Sequence, residues 1–89
     1  GIFHAQDTPT PIIIRTYEGL GNYYRTLPLH HSQQHTGSTP EYDEFHLLLY
    51  PTPDFIQEIL SQGNRIEVIR PESLRNEIRQ KLKAALERY

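Results

Sequence analysis

The chain has 89 residues, a formal net charge of −2, 36% hydrophobic and 22% charged residues, a size and balance that fit one small globular domain rather than a disordered segment. The absence of cysteine excludes disulfides, thiolate metal sites and a Cys nucleophile. No apolar run approaches the ~18 residues of a membrane span, no signal-peptide pattern opens the chain, and Lys and Arg are scattered among Glu rather than gathered into the basic stripe that grips a duplex, so the expectation is a cytoplasmic domain that does not itself bind duplex DNA.

Residues 1–10 read as a tag remnant and linker. Gly1 stands where a natural chain carries Met, and Gln6, Asp7, Thr8, Pro9 and Thr10 have linker composition. The expected domain is 11–89, cut from a longer protein. Ile12 to Thr16 is a β-branched run and reads as a buried strand. Tyr17 to Thr26 places Leu20, Tyr23 and Tyr24 at near-helical spacing, weakened by Gly19 and Gly21, and Pro28 ends it. His31 to Thr36 is polar and suits an edge strand, followed by a turn-rich connection over Gly37 to Asp43. Phe45, Leu47 and Leu49 alternate with Glu44, His46 and Leu48, the pattern of a strand with one apolar face.

Thr52, Pro53 and Asp54 open a helix as cap, first-turn proline and favourable carboxylate. Phe55, Ile56, Ile59 and Leu60 form its apolar face, and Gly63 is placed to end it. Arg65 to Ile69 alternates again, with Ile66 and Val68 on one face. Pro71 then starts a last helix whose Leu74, Ile78, Leu82, Ala85, Leu86 and Tyr89 recur every three or four residues. Arg79, Lys81, Lys83 and Arg88 lie late in it, as the helix dipole favours. The order of elements predicts an α+β, ferredoxin-like split βαβ fold, βαββαβ with a four-stranded antiparallel sheet, plus a C-terminal helix. The two most apolar strands would be central and the more polar ones would be edges, in the order 4-1-3-2.

No catalytic constellation emerges. His30, His31, His35 and His46 match no tight metal spacing, although pairing Gln34 with His46 would bring two or three imidazoles together. Ser32 beside His31 lacks the geometry of a nucleophile–base pair, since adjacent strand residues point apart. Gly19 and Gly21 give G-L-G without the third glycine of a dinucleotide fingerprint. The chain is therefore read as non-enzymatic, without metal or cofactor. Tyr23, Tyr24 and Arg25, with His30, Ser32 and Gln33, remain as a candidate aromatic and basic pocket or an interdomain contact. The alternative for the tyrosines is that one fills the core and the other covers its rim. Leu74, Ile78, Leu82 and Leu86 form an apolar stripe that packs either on its own sheet or on a partner.

LPLHHSQ at 27–33, FHLLLYPTPDFIQEILSQG at 45–63 and RIEVIRPESLRNEI at 65–78, in this order, resemble the C-terminal extension, or WCX domain, of bacterial WYL-domain transcriptional regulators. The resemblance implies a ferredoxin-like module that helps such regulators dimerise and couples ligand sensing to DNA binding by a winged helix-turn-helix elsewhere in the protein. It also implies the protein's own WYL domain as a partner. Nucleotide or nucleic-acid ligands of such regulators belong mainly to that WYL domain, whose Trp-Tyr-Leu motif this Trp-free chain cannot hold. The alternative function is a small-molecule or nucleotide sensor domain. Leu27 to Gln33 reads equally as a contact patch for the WYL domain or as a structural turn in which His and Gln side chains satisfy local backbone groups.

Overall fold

Ile12 and Ile14 share one face of a strand, and Phe45 and Leu47 share one face of another. Pairing the two strands antiparallel, Ile12 against Leu47 and Ile14 against Phe45, brings all four side chains to one surface. In the computed structural model, which describes residues 8–89, this pairing forms the centre of a four-stranded sheet. The elements are β1 (Thr10–Tyr17), α1 (Leu20–Thr26), β2 (Gln34–Ser38), β3 (Tyr42–Leu49), α2 (Pro53–Ser61), β4 (Ile66–Arg70) and α3 (Glu72–Leu86). The strand order β2-β3-β1-β4 is the predicted 4-1-3-2 read from the other edge, and every neighbouring pair is antiparallel. The fold is α+β and ferredoxin-like, with α3 added after the βαββαβ unit.

The core lies between the sheet and the helices. Ile12, Ile14, Phe45, Leu47, Ile66 and Val68 from the strands meet Leu20 and Tyr24 of α1, Phe55, Ile56 and Ile59 of α2, and Leu74 and Ile78 of α3. Thr52 caps α2 by accepting a hydrogen bond from the Phe55 amide, with Pro53 as the first helical residue. Gly63 follows the last helical turn at φ 58°, in the left-handed region that ends helices. Among the described residues, no buried side-chain nitrogen or oxygen lacks a hydrogen-bond partner.

Several boundaries differ from the sequence reading. The reading of residues 1–7 as tag and linker lies outside the described residues, while β1 already begins at Thr10. Helix α1 starts at Leu20 rather than Tyr17, because Glu18 and Gly19 take left-handed backbone angles, φ 59° and 82°, and turn the chain. Strand β2 starts at Gln34 rather than His31, because residues before it are held in a turn by their own side chains. Gly37, expected in the connection, stays in β2 beside a register irregularity between His35 and Gly37. The actual turn is shorter, with Thr39 Oγ1 accepting from the amides of Glu41 and Tyr42. Gln34 does pair with His46, as considered from the sequence.

The first half of α3 is fastened to the sheet through polar contacts as well as apolar ones. Tyr17 donates to Glu67 at 2.5 Å, and Arg75 of α3 donates to Glu67 at 3.1 Å and to the Val68 carbonyl at 2.8 Å. The Tyr17 hydroxyl, and secondarily Arg75, hold the Glu67 carboxyl below its ordinary value of 4.5, against a smaller opposing effect of burial. A carboxyl with a depressed folded pKa contributes stability above the unfolded value and loses it as pH falls through the folded one. The stability difference between the wild type and Tyr17→Phe is therefore present at neutral pH and narrows on acidification below 4.5, as urea titrations at neutral pH and near pH ~3 will read.

Gly21 supplies a second test. It is buried in α1, and a Cβ there would sit 2.8 Å from Asp43 Cβ on β3. Alanine gains about 1 kcal/mol of helix propensity, but the opposing strand atom has no flexible joint by which to withdraw. Gly21→Ala is expected to destabilise by about 1–2 kcal/mol net, with part of the loss recovered in the Gly21→Ala/Asp43→Gly double variant by urea denaturation.

Candidate functional site

The segment between α1 and β2 is polar, yet three of its side chains are directed inward to backbone groups. Gln33 accepts from the Leu29 amide at 2.9 Å and donates to the Tyr24 carbonyl at 2.9 Å, so one amide side chain closes the turn and ties it to the end of α1. Ser32 Oγ accepts from the Leu48 amide at 2.8 Å and sits 2.8 Å from His30 Nδ1, which also accepts from the Ser32 amide. His31 packs its ring against His30, with centroids 4.1 Å apart. Of the two sequence readings of Leu27 to Gln33, the structural turn accounts for Gln33, Ser32 and His30. The same turn leaves Leu27 57% exposed.

That turn forms one wall of an open groove of about 870 Å³. The end of β3, with Leu48 and Tyr50, forms a second wall, and the N-terminal half of α2, with Asp54, Phe55 and Glu58, forms a third. Tyr23 lies on its edge, 52% exposed, while Tyr24 is 1% exposed in the core beneath. The two rings meet edge-on at 5.4 Å. One tyrosine thus fills the core and the other covers the rim, the second of the two arrangements considered from the sequence. Burial raises the Tyr24 hydroxyl above its ordinary range, and its hydrogen bond to Glu58, at 2.8 Å, adds to the effect.

Arg25 does not line the groove; it is exposed and hydrogen bonds to Asn22 on its own helix. The candidate residues Tyr23, Tyr24, His30 and Ser32 are brought together there, while Arg25 and the Gln33 amide are turned elsewhere. The acidic groups Asp54 and Glu58 take the place of the expected guanidinium. Leu27 belongs to the segment singled out from the sequence, whereas sequence reasoning missed Leu48, Tyr50, Asp54 and Glu58. Leu48 carried a usable signal: an apolar residue on the face that otherwise bears Glu44 and His46 is a surface apolar group.

The remaining histidines make pairwise contacts. His35 meets Asp43 at 3.0 Å and packs on Phe45, and His46 lies 3.6 Å from Glu44. Among the described residues, no three His, Asp or Glu side chains converge as metal ligands.

The second feature is α3. Leu74 and Ile78 are 3% and 8% exposed, whereas Leu82 is 45%, Leu86 72% and Tyr89 fully exposed. The apolar stripe is therefore divided. Its first two turns pack on the domain's own core, and from Arg79 onward every residue is exposed. No described helix is long and apolar enough to cross a membrane.

The turn's dependence on Gln33 can be measured. Gln33→Ala leaves the Leu29 amide and the Tyr24 carbonyl without their partner, and should lower stability by about 1–3 kcal/mol. Gln33→Glu keeps the acceptor for Leu29 but faces the Tyr24 carbonyl with a second acceptor, and is expected not to restore the loss in urea denaturation.

No curated protein matches the chain. A family model described as the WCX domain matches residues 8–86, which takes in all four strands, α1, α2 and α3. With the match extending over nearly the whole chain, and the ferredoxin-like sheet in place beneath it, the chain belongs to the WCX domain family.

Proposed function

We propose that this domain is the regulatory and dimerisation part of a WYL-family bacterial transcriptional regulator, joining ligand sensing to DNA binding performed by other domains, and that it is not itself an enzyme. The observation that carries the proposal is the exposed half of α3. Leu82 and Leu86 lie on a regular helix and Tyr89 in the turn that follows it, and among the described residues nothing covers them; an uncovered apolar stripe of this kind marks an interaction surface. Membership of the WCX family supports the regulatory setting. The overall charge of −2, with the Lys and Arg residues outside α3 set singly along the chain, supports a role in protein contacts rather than direct duplex binding. The partners are a second copy and the protein's own WYL domain.

A second reading, a small-molecule sensor, draws on the groove, whose volume of about 870 Å³ lies in the range of ligand pockets. Asp54 and Glu58 on its wall disfavour a phosphate-bearing ligand and favour a cationic or neutral one. The dimerisation reading is tested by sedimentation of the chain over a rising concentration series, alone and with the WYL domain of its parent protein added in trans. Concentration-dependent dimer, or complex with the WYL domain, is the expected result. A monomer throughout, with no binding to the WYL domain, would defeat the proposal.

A further inference from the structure

The two uncovered features have opposite electrostatic character. Four of the chain's nine Lys and Arg residues fall in residues 79–89, against one of its eleven Asp and Glu. At about 100° per residue, Arg79 and Lys83 flank one side of the Leu82–Leu86 stripe of α3 and Lys81 lies on the other, with Arg88 and Tyr89 in the turn after the helix. The groove presents the complement: apolar walls at Leu27, Leu48 and Tyr50, with Asp54 exposed at the start of α2 and Glu58 half-buried behind it. No residue of α3 lines the groove, so it is not filled by the chain's own tail. Packing tail against tail would bring two cationic helices together, which like-charge repulsion opposes.

We infer that the exposed end of α3 and the turn after it, residues 79–89, dock in the groove of a second copy, and that the exchange is reciprocal. Two copies related by a twofold axis then make the same contact twice, which closes the assembly as a dimer and doubles the area of a single tail-in-groove contact. Leu82 and Leu86 are the apolar anchors, and the flanking cations meet the Asp54 side of the groove. Asp54, exposed and at the groove's margin, is the carboxylate available to a partner, since Glu58 accepts from Tyr24 and Gln62. This inference rests on the dimerisation reading and specifies its surfaces.

The test uses paired charge reversals. One variant carries Arg79→Glu and Lys83→Glu; the other carries Asp54→Arg. Each alone places like charges in both contacts and is expected to weaken its homodimer at least about tenfold. Mixed in equal amounts, the acidic tail meets the basic groove and the unaltered tail meets the unaltered groove, so the heterodimer forms near wild-type affinity. Leu86→Asp, at a residue 72% exposed, should weaken dimerisation while leaving unchanged the unfolding midpoint measured at concentrations where the wild type is monomeric. If the wild type dimerises and none of these substitutions changes its dissociation constant, the tail-in-groove contact is wrong while the dimerisation reading stands. The contact is equally wrong if the tail variants lose only binding to the WYL domain. A wild type that stays monomeric overturns the tail-in-groove contact, and one that also fails to bind the WYL domain overturns the reading it rests on.

Discussion

The antiparallel ladder between β1 and β3 is the constraint on which the rest of the domain depends. It runs from Thr10 opposite Leu49 to Tyr17 opposite Tyr42 without a break. Its regular register puts Ile12, Ile14, Phe45 and Leu47 on one surface and Arg15, Glu44 and His46 on the other. Helices can bury their apolar faces only on the first surface, so α1, α2 and the start of α3 all collect there. A slip of one residue would send the isoleucines to the face that carries the Arg15–Glu44 ion pair. The groove lies at the far end of the same ladder, beyond the last pairing of β3 with β2 at Gln34 opposite His46, where Leu48 and Tyr50 line it.

Strand order and fold class were legible because hydrophobic alternation and β-branched runs report burial directly. Ile12 to Thr16 and Phe45 to Leu49 are the most apolar segments and stand at the centre, as burial on one whole face requires. Helix α2 was legible from its cap and its closing glycine, both local signals. The errors lie where side chains compete with the backbone. Residues 31–33, the start of the segment read as an edge strand, have suitable composition, but Ser32 and Gln33 accept hydrogen bonds from the backbone amides of Leu48 and Leu29 and hold a turn instead. One of those amides lies sixteen residues away, and no local pattern could supply it.

The site was less legible than the fold for a related reason. Tyr23, Tyr24 and Arg25 are adjacent in sequence, and a helix sends three consecutive side chains in three directions. Tyr24 goes to the core, Tyr23 to the edge of the groove, and Arg25 to solvent beside Asn22. The carboxylates that replace the guanidinium come from α2, which only the tertiary fold brings near. Helix α3 posed a different difficulty. Its stripe is continuous in sequence, so periodicity alone could not reveal that the core ends beneath Ile78 while the helix continues.

That division of α3 separates two kinds of selection. Leu74 and Ile78 are fixed by the core, and replacing them disturbs folding. Beyond Ile78 every side chain is exposed, so its identity is free of the demands of the fold. If the tail docks as proposed, duplicated copies of such a gene could exchange charges along the tail and at the margin of the groove, keep the same sheet and core, and cease to recognise one another. On the proposed contact, sister domains would acquire private partners by changing a few surface residues, with no new architecture.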